Sequence, residues 1–128
     1  MTPKNDIQTR EHIVLLLDTF YAKATEDPEI GYFFTEIAQL DLKAHMPKMY
    51  SFWSQILLGD SSYSGNVMEK HFQLHAKSPL LSEHFEKWIT LWKETVAELF
   101  VGEKAEEAKS RAASIAGIMQ HKIENLRP

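Results

Sequence analysis

Apolar residues recur at helical spacing through most of this chain, and no window alternates cleanly with period two. Ile13, Leu16, Leu17, Phe20, Tyr21 and Ala24 mark one face of a helix predicted over 7–25. Asp27-Pro28 ends it, because the residue before proline is pushed out of the helical region. A short helical segment over 28–34 follows. Residues 41–44 lead into a helix that reaches about Leu58 and stops at Gly59. Residues 67–75 read as a short helix, and 76–81 as a loop containing Pro79. Ser82 is the expected cap of the next helix, whose face carries Phe85, Trp88, Ile89, Trp92, Val96 and Leu99. Gly102 breaks that helix. The last one runs over 103–125 with Ala108, Ala112, Ile115, Met119 and Ile123 inward. The expected fold class is all-α.

Composition narrows the function. A chain of 128 residues fits one domain, here 1–128, with a real core. Its 44% apolar and 25% charged residues are ordinary for a soluble globular protein. A net charge of -4 and no basic stripe give no electrostatic case for nucleic acid or an anionic membrane. The longest apolar run, Ile13-Val14-Leu15-Leu16-Leu17, is far short of a membrane span, and the first residues lack a signal pattern. A cytoplasmic location is the default expectation. The chain has no Cys, which excludes disulfides, thiolate catalysis, zinc–thiolate and iron–sulfur sites, and covalent c-type haem attachment.

The most telling single residue is His71, in Met68-Glu69-Lys70-His71-Phe72, just after the turn-rich run Gly59-Asp60-Ser61-Ser62-Tyr63-Ser64-Gly65. A neutral imidazole is the usual protein ligand for the iron of a b-type haem. Upstream lie Phe20-Tyr21, Phe33-Phe34, His45 and Trp53, and downstream lies Trp88. That ordered set of aromatics around two histidines is what an oxygen-binding haem pocket needs. Taken alone, His71 is one of six histidines, and most histidines are structural or exposed. The constellation carries the inference.

His45, Met49 and Trp53 stand at i, i+4 and i+8 on the second long helix. Four residues advance a helix by about 400°, so the three share a face with a small drift. A flat ligand along this face meets His45 and Met49, with Lys48 at its rim, where an ammonium suits a carboxylate. Alternatively, Met49 and Trp53 are plain core and His45 is exposed. Pro47 is tolerated only in a first turn, so the regular helix either begins near His45 or kinks there. Tyr21 and Trp88 lie on apolar faces, and a buried hydroxyl or indole N–H wants a partner.

Together these residues resemble the truncated haemoglobins, and within them the third group. The resemblance runs from about residue 10 to 125. Phe20-Tyr21 looks like the pair on the family's B helix that carries the distal tyrosine. Asp27-Pro28-Glu29-Ile30-Gly31-Tyr32-Phe33-Phe34 looks like its short connection ending in a haem-packing phenylalanine, Phe34. Leu42-Lys43-Ala44-His45, with Trp53 eight residues on, resembles the third group's E helix. Tyr63-Ser64-Gly65 and Lys70-His71 resemble the following segment, and Trp88 matches a distal tryptophan. The paired glycines of other truncated-haemoglobin groups are absent, as in the third group.

The resemblance implies a globin-like two-over-two α-helical sandwich enclosing haem b. His71 is then the proximal iron ligand. Phe34, His45, Lys48, Met49, Trp53, His71 and Trp88 are the expected haem contacts, and Tyr21, His45 and Trp88 face the bound ligand. His75 or Lys77 is a further candidate at the proximal rim. The expected partners are O2, NO, CO or other small haem ligands, and a reductase. Two preorganised donors slow oxygen release, which favours redox or nitric oxide chemistry, of the dioxygenase or peroxidase kind, over transport. With haem and core faces assigned, no apolar stripe remains, so a monomer or weak dimer is expected. Two rivals stay open. One is a haemless helical sensor or interaction domain. The other is a non-haem metal protein using His71 and His75, although HExxH and ExxH motifs are absent.

Overall fold

The computed structural model describes residues 4–33, 42–59 and 80–124. Four helices account for most of them: α1 (Arg10–Glu26), α2 (Leu42–Leu58), α3 (Ser82–Leu99) and α4 (Glu103–Glu124). No strand occurs among the described residues. Helix α1 packs on α2 and on α3, α3 packs on α4, and α2 touches α4 more lightly. This is one helix pair laid over another, as the apolar faces predict.

Ile13, Leu16, Leu17, Phe20 and Ala24 form the buried stripe of α1. Helix α3 buries Phe85, Trp92, Thr95 and Val96, with Trp88, Ile89 and Leu99 packed beside them. The stripe of α4 is small: Ala105, Ala108, Ala112 and Ala116, then Met119. Alanines let the α3 side chains come down onto the α4 backbone. Trp92, 1% exposed, donates its indole N–H to the Ala108 carbonyl at 2.9 Å. Its polar atom is thereby satisfied inside an apolar core.

Three boundaries differ from the sequence expectation. Helix α1 starts at Arg10, with Thr9 as its cap: Thr9 Oγ1 accepts the His12 N–H at 3.3 Å. Ile7 is buried, yet from an extended segment that runs along the α3–α4 turn. There the Asn5 carbonyl accepts the Val101 N–H, and Lys4 Nζ donates to the Ala97 carbonyl. The Asp6 carboxylate accepts the amides of Lys104 and Ala105 at 2.9 and 2.8 Å, which caps α4 from almost the other end of the chain. Helix α3 is capped by Leu81 rather than Ser82, which is its first residue. His84 Nδ1 supplies the polar contact, accepting the Leu81 N–H at 3.0 Å. Helix α2 starts at Leu42, inside the expected lead-in and three residues ahead of His45, so Pro47 lies inside it. Pro47 removes the amide that would have bonded the Lys43 carbonyl, on a stretch where Lys43, Ala44, Pro47 and Lys48 face solvent.

The α2 end matches expectation: Gly59 takes a φ of 78°, the left-handed conformation that stops a helix. The turn that follows α1 is pinned by Asp27. Its Oδ1 accepts the amides of Glu29 and Ile30 at 2.8 and 3.1 Å. Its carboxylate also pairs with Lys87 of α3 at 3.4 Å. Gly31 fits there because a Cβ would lie 2.5 Å from the Thr25 carbonyl oxygen.

Candidate functional site

Phe20 and Tyr21 are neighbours on α1 and point to different places. Phe20 goes into the core, where its ring meets Trp92 edge-on at 5.2 Å and Trp88 at 6.5 Å. Tyr21 turns toward α2. Its hydroxyl lies 3.1 Å from His45 Nε2, with the two rings edge-to-face at 5.5 Å. Burial of the hydroxyl raises the Tyr21 pKa far above the ordinary phenol value. The group therefore keeps its proton and can act only as a neutral hydrogen-bonding group. His45 itself is half-buried.

The structure thus brings Tyr21 and His45 into contact. Trp88 is half-buried on α3, and Phe20 is in ring contact with both Tyr21 and Trp88, at 5.4 and 6.5 Å. Met49 is half-buried and packs against the core, one turn on from His45. Trp53 is buried and stacks on Trp92, with centroids 4.5 Å apart and planes inclined by 26°. Lys48 is exposed at the edge of this face. Phe34, His71, His75 and Lys77 lie outside the described residues. Ahead of Phe34, Phe33 is buried between Tyr32 and His84, at 4.2 and 4.8 Å.

Some supporting residues were not singled out from sequence. His84 both holds the start of α3 and packs on Phe33. Asp27 with Lys87 ties the turn after α1 to α3. The run Asp27-Pro28-Glu29 carried a signal for the first part of this, because an Asp two residues ahead of an amide forms a side-chain turn. Tyr50 donates to the Asp18 carboxylate across α1 and α2, and Arg10 donates to Ser51 Oγ beside it.

The chemistry of this donor set suits haem. A protonated phenol beside an imidazole, with an indole and a thioether packed on the same aromatic core, is a set of groups that fits a flat apolar ring bearing a small polar ligand. Among the described residues no cluster of three His, Asp or Glu side chains could hold a bare metal ion. No described helix is long and apolar enough to cross a membrane.

Comparison with known proteins gives the same answer. The family model of the bacterial-like globins matches residues 5–125. A group 3 truncated haemoglobin of Campylobacter jejuni is 30% identical over 117 residues, covering 89% of this chain and 90% of that protein. A group 1 truncated haemoglobin of a Synechocystis strain is 28% identical over 109 residues, covering 84% and 83%. The crystal structure of a group III truncated haemoglobin from Campylobacter jejuni superposes with a TM-score of 0.82 at 30% identity, covering 94% of this chain and 95% of that one. A match over nearly all of the chain, in sequence and in helix arrangement, places it in the bacterial-like globin family, as a haem-binding globin of the truncated type most like the third group.

Proposed function

We propose that this globin binds haem b through His71 and uses it for redox chemistry on a small diatomic ligand rather than for oxygen transport. The observation that carries the reading is the Tyr21 hydroxyl, kept protonated by burial and held 3.1 Å from His45 Nε2. Haem, when bound, supplies a ferrous iron that takes O2, NO or CO and the electrons for their reactions. The chain supplies the rest. Tyr21 has one proton to donate, to His45 or to a ligand carrying partial negative charge. Trp88 offers an indole N–H from α3, and Phe20 between them keeps this wall apolar, so that donated hydrogen bonds are strong. Met49 and Trp53 give α2 an apolar face, and Lys48 stands at its rim for a propionate. Phe34 is the phenylalanine expected to pack on the ring.

Slow oxygen release favours oxidation of nitric oxide or reaction with peroxide, with a reductase returning electrons. A cytoplasmic single domain, monomeric or weakly dimeric, accords with this reading. The visible spectrum of the purified protein is the test. An intense Soret band is expected, and His71→Ala should lose the normal ligated spectrum while His75→Ala and His84→Ala keep it. No Soret band after haem supplementation would remove the proposal. It would leave the haemless helical domain.

A further inference from the structure

Aromatic rings in contact run from Trp88 and Phe20 through Trp92 to Trp53, one turn of α2 from the half-buried Tyr50. Trp88 and Trp92 are one turn apart on α3, and both pack on Phe20, at 6.5 and 5.2 Å. Trp92 stacks on Trp53 of α2 at 4.5 Å. Trp53 and Tyr50 are three residues apart on α2, about one helical turn, without direct ring contact. Tyr50 is half-buried and its hydroxyl donates to Oδ1 of the exposed Asp18. The interior members are fixed: Trp53 and Trp92 are buried, and the Trp92 indole is tied to the Ala108 carbonyl.

Indole and phenol are the side chains that most readily lose one electron. An oxidised phenol is a strong acid, so a tyrosine gives up its electron easily only when a base stands ready for its proton. Asp18 is that base. Burial first, then the hydrogen bond to Asp18 and its negative charge, push the Tyr50 pKa up to about 12. At neutral pH the resting hydroxyl therefore keeps its proton, and the proton moves only with the electron. A surface depression along α1 is lined by Asp18 together with Thr19, Ala22, Lys23 and Glu26, on the Asp18 side of the pair.

We propose that Tyr50, with Asp18 as its proton acceptor, is a surface redox site at which phenolic reductants deliver electrons to the haem pocket through Trp53, Trp92 and Trp88. The inference rests on the haem reading above and adds to it a site and a substrate class. Hydrogen peroxide is the oxidant, taking two electrons and two protons to leave as two waters. In each passage Tyr50 loses one electron inward through the array and its O–H proton to Asp18. A phenol then returns one electron to Tyr50, which recovers its proton from Asp18, and the phenol's own proton passes to solvent. Two passages consume one peroxide and two phenols and release two phenoxyl radicals, so atoms and electrons balance.

The test is made on the full chain loaded with haem. Hydrogen peroxide is added with a nitroso spin trap, and the trapped residue is located by peptide mass mapping. Tyr50 should carry the trap, and Tyr50→Phe should lose it. Trp92→Phe, or Trp53→Phe if the former does not fold, should lower trapping at Tyr50. A trap found elsewhere with Tyr50 unmodified overturns the proposal. A second arm needs no haem. A ruthenium photo-oxidant in solution oxidises Tyr50 directly, and Asp18→Asn should slow appearance of the phenoxyl band by about a hundredfold, the low end for a positioned base. Equal rates in Asp18→Asn and wild type overturn the role of Asp18 whether or not haem binds. A missing Soret band overturns the haem reading and with it the peroxide route, while the photo-oxidation arm still decides the Tyr50–Asp18 pair.

Discussion

The Tyr21 hydroxyl lies 3.1 Å from His45 Nε2 and so links α1 to α2. A phenol has one proton to give, and a ligand bound nearby competes with the imidazole for it. His45 sits in the first turn of α2 ahead of Pro47, on a stretch largely facing solvent, where a swing away is easily accommodated. Tyr21 belongs to the middle of α1 and packs against the core. The two residues should therefore leave different kinetic marks. Tyr21→Phe and Trp88→Phe should each speed oxygen release, since losing one donor to a charged acceptor costs about 1.5–3 kcal/mol, or roughly ten- to a hundredfold. His45→Leu should change release less and association more. Stopped-flow oxygen dissociation and flash photolysis measure both. A dominant effect of His45→Leu on release, with Trp88→Phe silent, contradicts this.

Asp6 gives a stability prediction with a sign in pH. Burial opposes its charge, but the amides of Lys104, Ile7 and Ala105 and the Lys104 ammonium outweigh that, so its pKa lies below the usual carboxylate value. A depressed folded pKa means the stabilisation is fully present above the unfolded value, about 3.9. It is lost as pH falls through the folded value. Asp6→Ala removes a helix cap and should cost about 1–2 kcal/mol at neutral pH. Urea melts of wild type and variant should differ at pH 7 and converge in strong acid. A difference that persists unchanged in acid would show that the carboxylate charge is not what matters.

Much of the fold was legible because long helices advertise their buried faces. The α1, α3 and α4 stripes came directly from apolar spacing. The Tyr21–His45 pair was legible only as two separate residues, since their contact depends on how α1 crosses α2. Asp6 was not legible at all, because a cap supplied from 98 residues away leaves no local pattern. Ile7 misled for a related reason: a buried apolar residue in an extended segment looks like one more helical position. At the start of α3, Ser82 is a good cap by type, yet His84 supplies the acceptor from inside the helix. That replacement reflects where His84 is held against Phe33, a tertiary fact.

Gly102 and Asp6 should behave as one unit. Gly102 has a φ of 138°, and a Cβ there would lie 2.5 Å from the Asp6 carboxyl carbon. Gly102→Ala thus strains the backbone and pushes out the carboxylate that caps α4. A residue forced into such a region costs on the order of 1–3 kcal/mol. Because part of the cost is the lost cap, Gly102→Ala in an Asp6→Ala background should cost less than in wild type. A double-mutant cycle by chemical denaturation measures this, with a coupling of about 0.5 kcal/mol or more expected. Strict additivity would mean that the two residues act independently.

Asp27 and Lys87 should prove unequal partners. The Asp27 carboxylate is 7% exposed and the Lys87 side chain 33% exposed. Lys87→Met leaves Asp27 with the amides of Glu29 and Ile30, so only the ion pair is lost, and an open pair contributes about 1 kcal/mol at most. Asp27→Ala strips two backbone donors of their acceptor as well as Lys87 of its partner. Each unsatisfied donor costs about 1–3 kcal/mol where water cannot reach it, and Ile30 is buried. Asp27→Ala should therefore destabilise by about 2 kcal/mol and exceed Lys87→Met clearly. Burial again opposes the Asp27 charge, and the two amides and Lys87 again outweigh it, lowering its pKa. The contribution should hold above pH of about 4 and fade as pH falls through the folded value. The turn that Asp27 pins carries Phe33, the residue before Phe34 in sequence, so Asp27→Ala should also release haem faster to a competing apoglobin, whereas Lys87→Met should release it nearly as wild type does. Equal haem release from the two variants would separate this turn from the site.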